Sequence, residues 1–165
     1  MIELMFEIGA QVTGRLDVML SSTEHGLQNA PSAPWRHLAL DSNITFSVGP
    51  DAAPAQAMAR GTAFARRTLP VLIGSASNTD AVRQDVLAVL TELVDITARY
   101  RASADVISRV AFDGVDVTVS VGEMGVALPP PEDEPGLYLV HRVADDVGQH
   151  EGFDGGYVTW AAIRV

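Results

Sequence analysis

Two runs of alternating apolar residues on either side of Asp113-Gly114 constrain the fold of this chain most. The first run spans residues 106–112 and the second spans residues 115–121. An Asp-Gly pair favours the tight type I′ turn that joins two twisted antiparallel strands. The sequence therefore predicts a β-hairpin in this region. The face predicted to be buried carries Val115, Val117, Val119 and Val121.

An amphipathic helix is predicted directly before the hairpin. Asn78, Thr79 and Asp80 are residue types that cap helix N-termini. The residues that follow carry apolar side chains at intervals of three and four, which places them on one helical stripe. That stripe consists of Val82, Val86, Val89 or Leu90, Leu93 and Thr97.

A short strand and an alanine-rich helix are predicted further upstream. Ile44, Phe46 and Val48 alternate with polar residues, as in a half-buried strand. The helix runs from about residue 54 to residue 69, and Pro70 is expected to interrupt it because proline lacks the backbone N–H.

Downstream of the hairpin the sequence predicts a loop, a helix and a strand. Residues 122–135 hold four prolines, two glycines and four acids, which favours a loop whose acidic part, 132–134, faces solvent. A third helix is expected to begin after Gly136 and end at Gly148. Residues 157–165 alternate as a closing strand. This element order predicts an α+β two-layer sandwich, with a mixed, mostly antiparallel sheet and three helices on one face.

The first residues of the chain form a separate region of the sequence. Residues 2–8 alternate strictly and predict a strand, whereas residues 11–21 fit either a helix or a strand, with a strand favoured. Residues 21–43 are rich in turn-forming residues and read as a connecting loop. We therefore divide the chain into a strand-containing extension, residues 1–43, and a domain, residues 44–165. Strands in residues 1–20 would be placed to cover or extend a sheet edge.

The composition excludes several kinds of chemistry. The chain has no cysteine, and all eleven of its basic residues are arginine, so thiolate metal sites and lysine-dependent catalysis are ruled out. The formal net charge of −10 predicts no direct binding to nucleic acid. No apolar run reaches the ~20 residues of a membrane span, and the acids Glu3 and Glu7 are unlike a secretory leader. We expect a soluble, cytoplasmic protein.

Three short motifs stand out along the chain. They are Glu92-Leu93-Val94 with Arg99-Tyr100, then Glu123-Met124-Gly125, then Glu134-Pro135-Gly136-Leu137. These motifs resemble those of the histidine-kinase-like ATPases (the GHKL superfamily), and more narrowly its actinobacterial anti-sigma-factor serine kinases. They occur in the family's order on the expected elements, and the resemblance covers residues 44–165. It implies a nucleotide-binding fold and ATP-dependent phosphorylation of a protein serine.

The resemblance also implies roles for individual residues. Glu92 takes the catalytic position, as a base or as the group that orients a nucleophile. Glu123, with Gly125, takes the position that contacts adenine. Gly136 and Leu137 take the position where backbone N–H groups at a helix N-terminus cradle phosphates.

The sequence departs from the family pattern where the chemistry is most demanding. Ile96 stands at the position of the magnesium-binding asparagine, and a hydrocarbon side chain offers no oxygen ligand. Pro135 has no N–H to donate, and the acids at 132–134 would repel a triphosphate. Asp95 and Arg99, spaced i, i+4, are expected to pair on the helix surface instead of serving a metal.

These departures predict a degenerate ATPase-like domain that regulates by binding a protein. We expect no metal site, and no bound ATP or other cofactor. The resemblance implies a sigma factor or an anti-sigma antagonist as partner, together with a homodimer. Two alternatives remain open at this point. One is an active Mg-ATP-dependent protein serine kinase that uses Glu92 and Glu123, and the other is a homodimeric structural module.

Overall fold

The computed structural model describes residues 14–15, 42–74, 79–152 and 155–165. Within these residues, six strands and three helices follow one another. They are β1 (Gly14–Arg15), β2 (Ser42–Val48), α1 (Pro54–Ile73), α2 (Thr79–Tyr100), β3 (Val106–Phe112), β4 (Asp116–Met124), α3 (Pro135–Val143), β5 (Asp146–Glu151) and β6 (Tyr157–Arg164).

The strands form one sheet in the order β1-β2-β3-β4-β6-β5, and every pairing between the described strands is antiparallel. Alternate residues of the strands face the helices and are buried, so the core lies between the sheet and α1 to α3. The predicted α+β two-layer fold is therefore confirmed. The buried strand residues include Ile44, Phe46, Val48, Val106, Val110, Val117, Val119, Val121, Ala161 and Ile163.

The predicted hairpin is present as β3 and β4, but its turn is longer than two residues. Phe112 pairs with Val117, and Gly114 adopts a positive φ of 98° inside the turn. The Asp113 carboxylate accepts hydrogen bonds from the backbone N–H groups of Val115 and Asp116, both at 2.8 Å. Val115, predicted to be buried, is exposed because it belongs to this turn and not to β4.

Asp113→Ala is expected to lower the free energy of unfolding at pH 7 by about 1 kcal/mol, because two turn N–H groups lose a charged acceptor. Those hydrogen bonds, first that from Asp116, lower the pKa of Asp113 below its ordinary 3.8. The stabilisation is therefore complete above pH 3.8 and is lost as the pH falls through the folded-state pKa. Urea unfolding of both proteins along a pH series measures this. A difference in unfolding free energy that persists undiminished in strong acid would contradict this prediction. Asp51→Ala, which removes another exposed acid, is the control.

The position of Pro70 corrects one expectation. The helix α1 continues through Pro70 and ends at Ile73. Pro70 and Arg66, whose carbonyl would have received the missing N–H, are both exposed. Water can therefore satisfy that carbonyl, and the proline is tolerated in the last turn.

The region after the hairpin corrects two more expectations. β4 continues to Met124, so residues 122–124, predicted as loop, belong to the sheet. The third helix ends at Val143 and not at Gly148, since Ala144 is already extended (φ −82°, ψ 145°). The following residues form β5, which the sequence analysis missed; pairing with β6 satisfies their backbone groups in place of helical hydrogen bonds.

Of the N-terminal extension, the structure describes Gly14, Arg15 and the first two residues of β2. Gly14 and Arg15 pair with Phe46 and Thr45, and so they extend the sheet edge at β2. The strand predicted at residues 2–8 and residues 21–41 of the loop predicted at 21–43 lie outside the described residues. Ser42 and Asn43, also predicted as loop, belong to β2. β2 begins at Ser42, two residues before the domain boundary drawn from the sequence.

Candidate functional site

The candidate site lies where α2 meets the beginning of α3. Asp80 in the first turn of α2 and Arg99 in its last turn complement the helix dipole. Glu92, Ile96 and Arg99 are spaced i, i+4 and i+7, so they share one face of the helix. That face meets the first residues of α3 through the side chains of Glu92 and Arg99.

An ion pair between Arg99 and Glu134 joins the two helices. The guanidinium donates two hydrogen bonds to the Glu134 carboxylate, Nη2 to Oε1 at 2.7 Å and Nη1 to Oε2 at 3.1 Å. The Glu134 side chain is only 11% exposed, against 36% for Arg99. The hydrogen bond to Glu134 is the main cause of a raised Arg99 pKa. Glu134 is the N-cap residue of α3, so the pair fixes the point where this helix begins.

Arg99 also contacts its own helix. Its Nε donates to Asp95 Oδ2 at 3.1 Å, which confirms the predicted i, i+4 pair. Its guanidinium carbon lies 5.6 Å from the centre of the Tyr100 ring, within the range of a cation–π contact. The expectation that all of 132–134 faces solvent is wrong for Glu134, because Arg99 provides the counter-charge that its burial requires. Glu132 and Asp133 are exposed as expected.

Glu92 packs directly against Gly136 in the first turn of α3. A β-carbon at Gly136 would overlap with Oε2 of Glu92 and would lie 3.6 Å from its Cβ. Desolvation, followed by the negative charge of Asp95, raises the pKa of the Glu92 carboxyl; Arg99 opposes this, and Glu134 adds to it. Three carboxylates thus surround one guanidinium at the beginning of α3.

Three of the first four residues of α3 have no backbone N–H free to bind a ligand. Pro135 has no N–H, and the Leu137 N–H donates to the Glu134 carbonyl at 2.9 Å. The Tyr138 N–H points to the same carbonyl at 3.4 Å. Of the phosphate-cradling positions named by the resemblance, Gly136 lies against Glu92, whereas Leu137 is buried in the core and already uses its donor.

A connecting segment, residues 125–134, is fastened beside the site; we call it the strap. Its first residue, Gly125, donates its N–H to the Tyr100 carbonyl at 2.7 Å, at the end of α2. In its middle, the Leu128 N–H donates to Gln149 Oε1 at 2.9 Å. Its last residue, Glu134, is held by Arg99. The strap is therefore tied to α2 at both ends and to β5 in between.

The residues predicted to contact adenine lie elsewhere on β4 and the strap. The Glu123 side chain packs against Gly152 and Gly156 in the connection between β5 and β6; a β-carbon at Gly156 would lie 2.8 Å from Glu123 Cβ. Gly125 lies beside the backbone of Tyr100 and Ala102, where a β-carbon would meet ordinary contacts of 3.6 Å or more. The structure thus brings Glu92 to Gly136 and directs Glu123 to the β5–β6 connection.

The position that the resemblance assigns to a metal-binding asparagine holds a residue of the hydrophobic core. Ile96 is 1% exposed and belongs to the main hydrophobic cluster, with Leu137 and Val140 of α3. Within the described ranges, no group of three or more His, Asp or Glu side chains is arranged to hold a metal ion. None of the helices in the described part of the chain combines the length and apolar character needed to cross a bilayer.

The sequence analysis missed the Arg99–Glu134 pair and the contact of Gln149 with the strap. Arg99 and Glu134 are 35 residues apart, and no periodic pattern connects them. A local hint existed, because Glu134 precedes Pro135, a residue favoured at the first position of a helix. That pattern marks Glu134 as the residue before a helix, but its carboxylate makes no capping hydrogen bond and pairs with Arg99 instead.

Glu92→Gln is expected to stabilise the folded protein slightly at pH 7, because it removes one of three neighbouring negative charges. Since the folded-state pKa of Glu92 is raised, the native state binds its proton more readily than the unfolded chain does. The stability of the wild type relative to the variant should therefore increase as the pH falls through that pKa, which lies above its ordinary value of 4.5. Melting temperatures of both proteins between pH 4 and pH 8 test this. A variant less stable than wild type at pH 7 would show that the Glu92 charge is favourable.

No known protein-family model matches this chain, and no curated protein matches it either.

Proposed function

We propose that this chain is a regulatory protein-interaction domain, similar in scaffold to the anti-sigma-factor kinases, that acts by binding a protein and not by phosphotransfer. One observation carries the proposal. The beginning of α3, where the phosphates of a nucleotide would bind in that family, is occupied by the protein's own carboxylates of Glu92 and Glu134.

The electrostatics of that site support the absence of phosphotransfer. An incoming triphosphate would meet Glu92, Asp95 and Glu134, whose charges exceed that of the single Arg99. Bringing the negative phosphates close to these carboxylates costs electrostatic free energy, and the cost grows as water is excluded from the site. The N–H donors that would offset it are absent at Pro135 and already used at Leu137.

The scaffold itself supports the resemblance. The described elements follow the order strand, two helices, hairpin, helix and closing strand that accompanied the motifs, with β5 added before β6. The element order alone fits many two-layer proteins, so the motif positions matter more. Glu92 and Gly136, which belong to two different motifs, are in contact across 44 residues of sequence.

The proposed partner is a protein with a basic surface. The formal net charge is −10, and residues 101–165 hold eleven acids against four arginines. Opposite charge on a partner accelerates and orients encounter. A sigma factor or an anti-sigma antagonist is the class implied by the resemblance, and we propose a homodimeric, cytoplasmic protein that uses neither a membrane nor nucleic acid.

Nucleotide binding separates this proposal from an active kinase. We expect the melting temperature to be unchanged by 2 mM Mg-ATP, and isothermal titration to give no heat of one-site binding. A dissociation constant of about 100 μM would stabilise the protein by roughly 1.8 kcal/mol at that concentration, which a thermal shift detects. Binding of that strength, or transfer of radiolabel from γ-labelled ATP to a protein substrate, would overturn the proposal.

Partner binding is tested separately. Purified sigma factors and anti-sigma antagonists of the source organism are mixed with the full chain, and the mass of each complex is measured by light scattering after size exclusion. We expect a complex that forms without nucleotide and weakens with salt. If the chain forms a dimer and binds none of these proteins, the structural-module alternative replaces the proposal.

A further inference from the structure

β5 is the outermost strand on its side of the sheet. It pairs with β6 along one edge, and no other described strand pairs with its outer edge. The opposite side of the sheet differs, because β1 already pairs with β2 there. An open edge presents a row of backbone donors and acceptors that another strand can use.

The backbone groups that point outward can be identified from the register. The Gly152 N–H donates to the Gly156 carbonyl at 2.7 Å, which makes these two residues a hydrogen-bonded pair. Because such pairs alternate along an antiparallel ladder, Val147, Gln149 and Glu151 direct their N–H and C=O groups away from β6. Two of these outward groups, one near each end, already contact side chains of β5. The Val147 N–H donates to Asp146 Oδ1 at 3.0 Å, and the Glu151 carbonyl lies 2.9 Å from Nδ1 of His150. Gln149 lies at the centre of this edge.

The charge of this edge selects its partner. Residues 143–163 contain four acids and neither lysine nor arginine. Asp146 and Glu151, at the two ends of β5, are both exposed. Pairing of β5 with its own copy would bring two acidic edges together, and like charges repel. A strand that carries basic side chains would instead lie beside Asp146 on the sheet face of Gly148 and near Glu151 on the other face.

Trp160 adds a feature that favours a cationic side chain. It pairs with Gly148, on the sheet face that points away from the helices. Its indole lies across Gly148, since a β-carbon there would come within 2.6 Å of Cζ2 and 3.0 Å of Nε1. The absence of a side chain at Gly148 therefore leaves the ring next to the open edge. A guanidinium on an added strand, opposite Gly148, would reach the indole and could form a cation–π contact.

We propose that the outer edge of β5 binds an extended, arginine-bearing segment of a partner protein, as an added antiparallel strand with an arginine beside Trp160. Addition of a strand to a sheet edge is an established mode of peptide recognition, in which backbone bonds supply affinity and alternate side chains supply specificity. This inference rests on the proposed function in one respect, namely that the domain works by binding a protein with a basic surface.

The first test uses the full chain and an acetylated eight-residue peptide of alternating arginine and valine. Its affinity is measured by fluorescence anisotropy at low salt, beside the same peptide with glutamate in place of arginine. We expect at least tenfold tighter binding of the arginine peptide, with the largest amide shifts in ¹H–¹⁵N spectra at Gln149 and Glu151. Equal affinity for the two peptides, or shifts centred away from β5, would overturn the proposal.

Backbone methylation tests the orientation of the added strand. If arginine lies opposite Gly148 in antiparallel pairing, the valine N–H groups of the peptide point to β5 and the arginine N–H groups point to solvent. Methylating the valine amides should therefore weaken binding at least tenfold, whereas methylating the arginine amides should leave it within twofold. If both methylated peptides bind like the parent, the contact is not an added strand and the proposal is wrong.

A charge variant tests the edge on the protein. The double variant Asp146→Asn with Glu151→Gln should weaken binding of the arginine peptide about fivefold. The matched control, Asp51→Asn with Glu132→Gln, changes the net charge equally at exposed acids elsewhere and should stay within twofold. Equal effects would mean that only the overall charge matters, which contradicts the proposal.

The two proposals fail in different ways. Binding of Mg-ATP by a chain that also binds the arginine peptide as expected would refute the proposed function alone. A chain that binds neither Mg-ATP nor the arginine peptide would refute this inference alone.

Discussion

An Ile96→Asn variant, which restores the metal-binding residue type at its position in the resembling family, is expected to lose about 3 to 5 kcal/mol of unfolding free energy and to gain no metal site. Ile96 is 1% exposed inside the main hydrophobic cluster. The change removes apolar packing and also buries an amide that needs partners, and both effects destabilise the core. A chain of this size has little stability to spare, so a partly unfolded protein is the expected outcome.

Urea unfolding measures this loss, with Ile96→Val as the matched control. Valine keeps the apolar, β-branched shape and should cost about 0.5 to 1.5 kcal/mol. A thermal shift with Mg²⁺ and ATP is then run on each variant that remains folded. If Ile96→Asn is as stable as wild type, the packing of Ile96 does not stabilise the core as its burial indicates. If Mg-ATP raises the melting temperature of the variant, the surrounding residues can still hold a nucleotide, and the expectation that no metal site is gained is wrong.

The sequence predicted the parts of the fold that rest on local patterns. Asp113-Gly114 between two alternating runs marked the hairpin, because turn chemistry and strand alternation both act within a few residues. The stripe that begins at Val82 and the capping residues before it marked α2 for the same reason. Within the hairpin, Val115 was misassigned because the Asp113 side chain organises a longer turn than the dipeptide alone indicates.

β5 was not predictable in the same way. Val140, Ala144 and Val147 are spaced as in a helix, and Gly148 is a typical residue at a helix end. In the structure the chain leaves the helix after Val143, because residues 146–151 complete their backbone hydrogen bonds with β6. Strand pairing over a distance overrides local periodicity, and one sequence contains no direct sign of it.

The candidate site was predictable only in part. The resemblance placed Glu92 and Gly136 in one site, and the structure brings them into contact. The partner of Arg99 could not be deduced, because it depends on the path of the strap. Adjacent acids looked equivalent in sequence, yet Glu134 is buried and Asp133 is exposed. Which acid becomes the helix cap is decided by tertiary packing.

Removal of the Arg99 guanidinium is the second change for which we expect a large effect. Arg99→Met keeps most of the aliphatic stem but leaves the Glu134 carboxylate, whose side chain is 11% exposed, without its counter-charge. Breaking a buried ion pair from one side costs about 3 to 5 kcal/mol, and the 36% exposure of Arg99 lowers this to about 2 to 3 kcal/mol. Chemical unfolding gives the loss. Hydrogen exchange at the Asp133 and Glu134 amides should also accelerate, because this end of the strap loses its attachment to α2.

Three further variants distinguish a strap anchor from an ordinary surface pair. Asp95→Asn removes the exposed partner of Arg99 and should cost less than about 1 kcal/mol, with no change in exchange at the strap. Glu134→Gln should cost less than Arg99→Met, because the guanidinium it leaves behind can reach water whereas the carboxylate cannot. Arg99→Met combined with Glu134→Leu should recover most of the loss, since replacing both members of a buried pair by apolar groups is often neutral. Equal losses for Arg99→Met and Glu134→Gln would instead mean that Glu134 reaches solvent readily, and that α3 does not depend on this ion pair for its position.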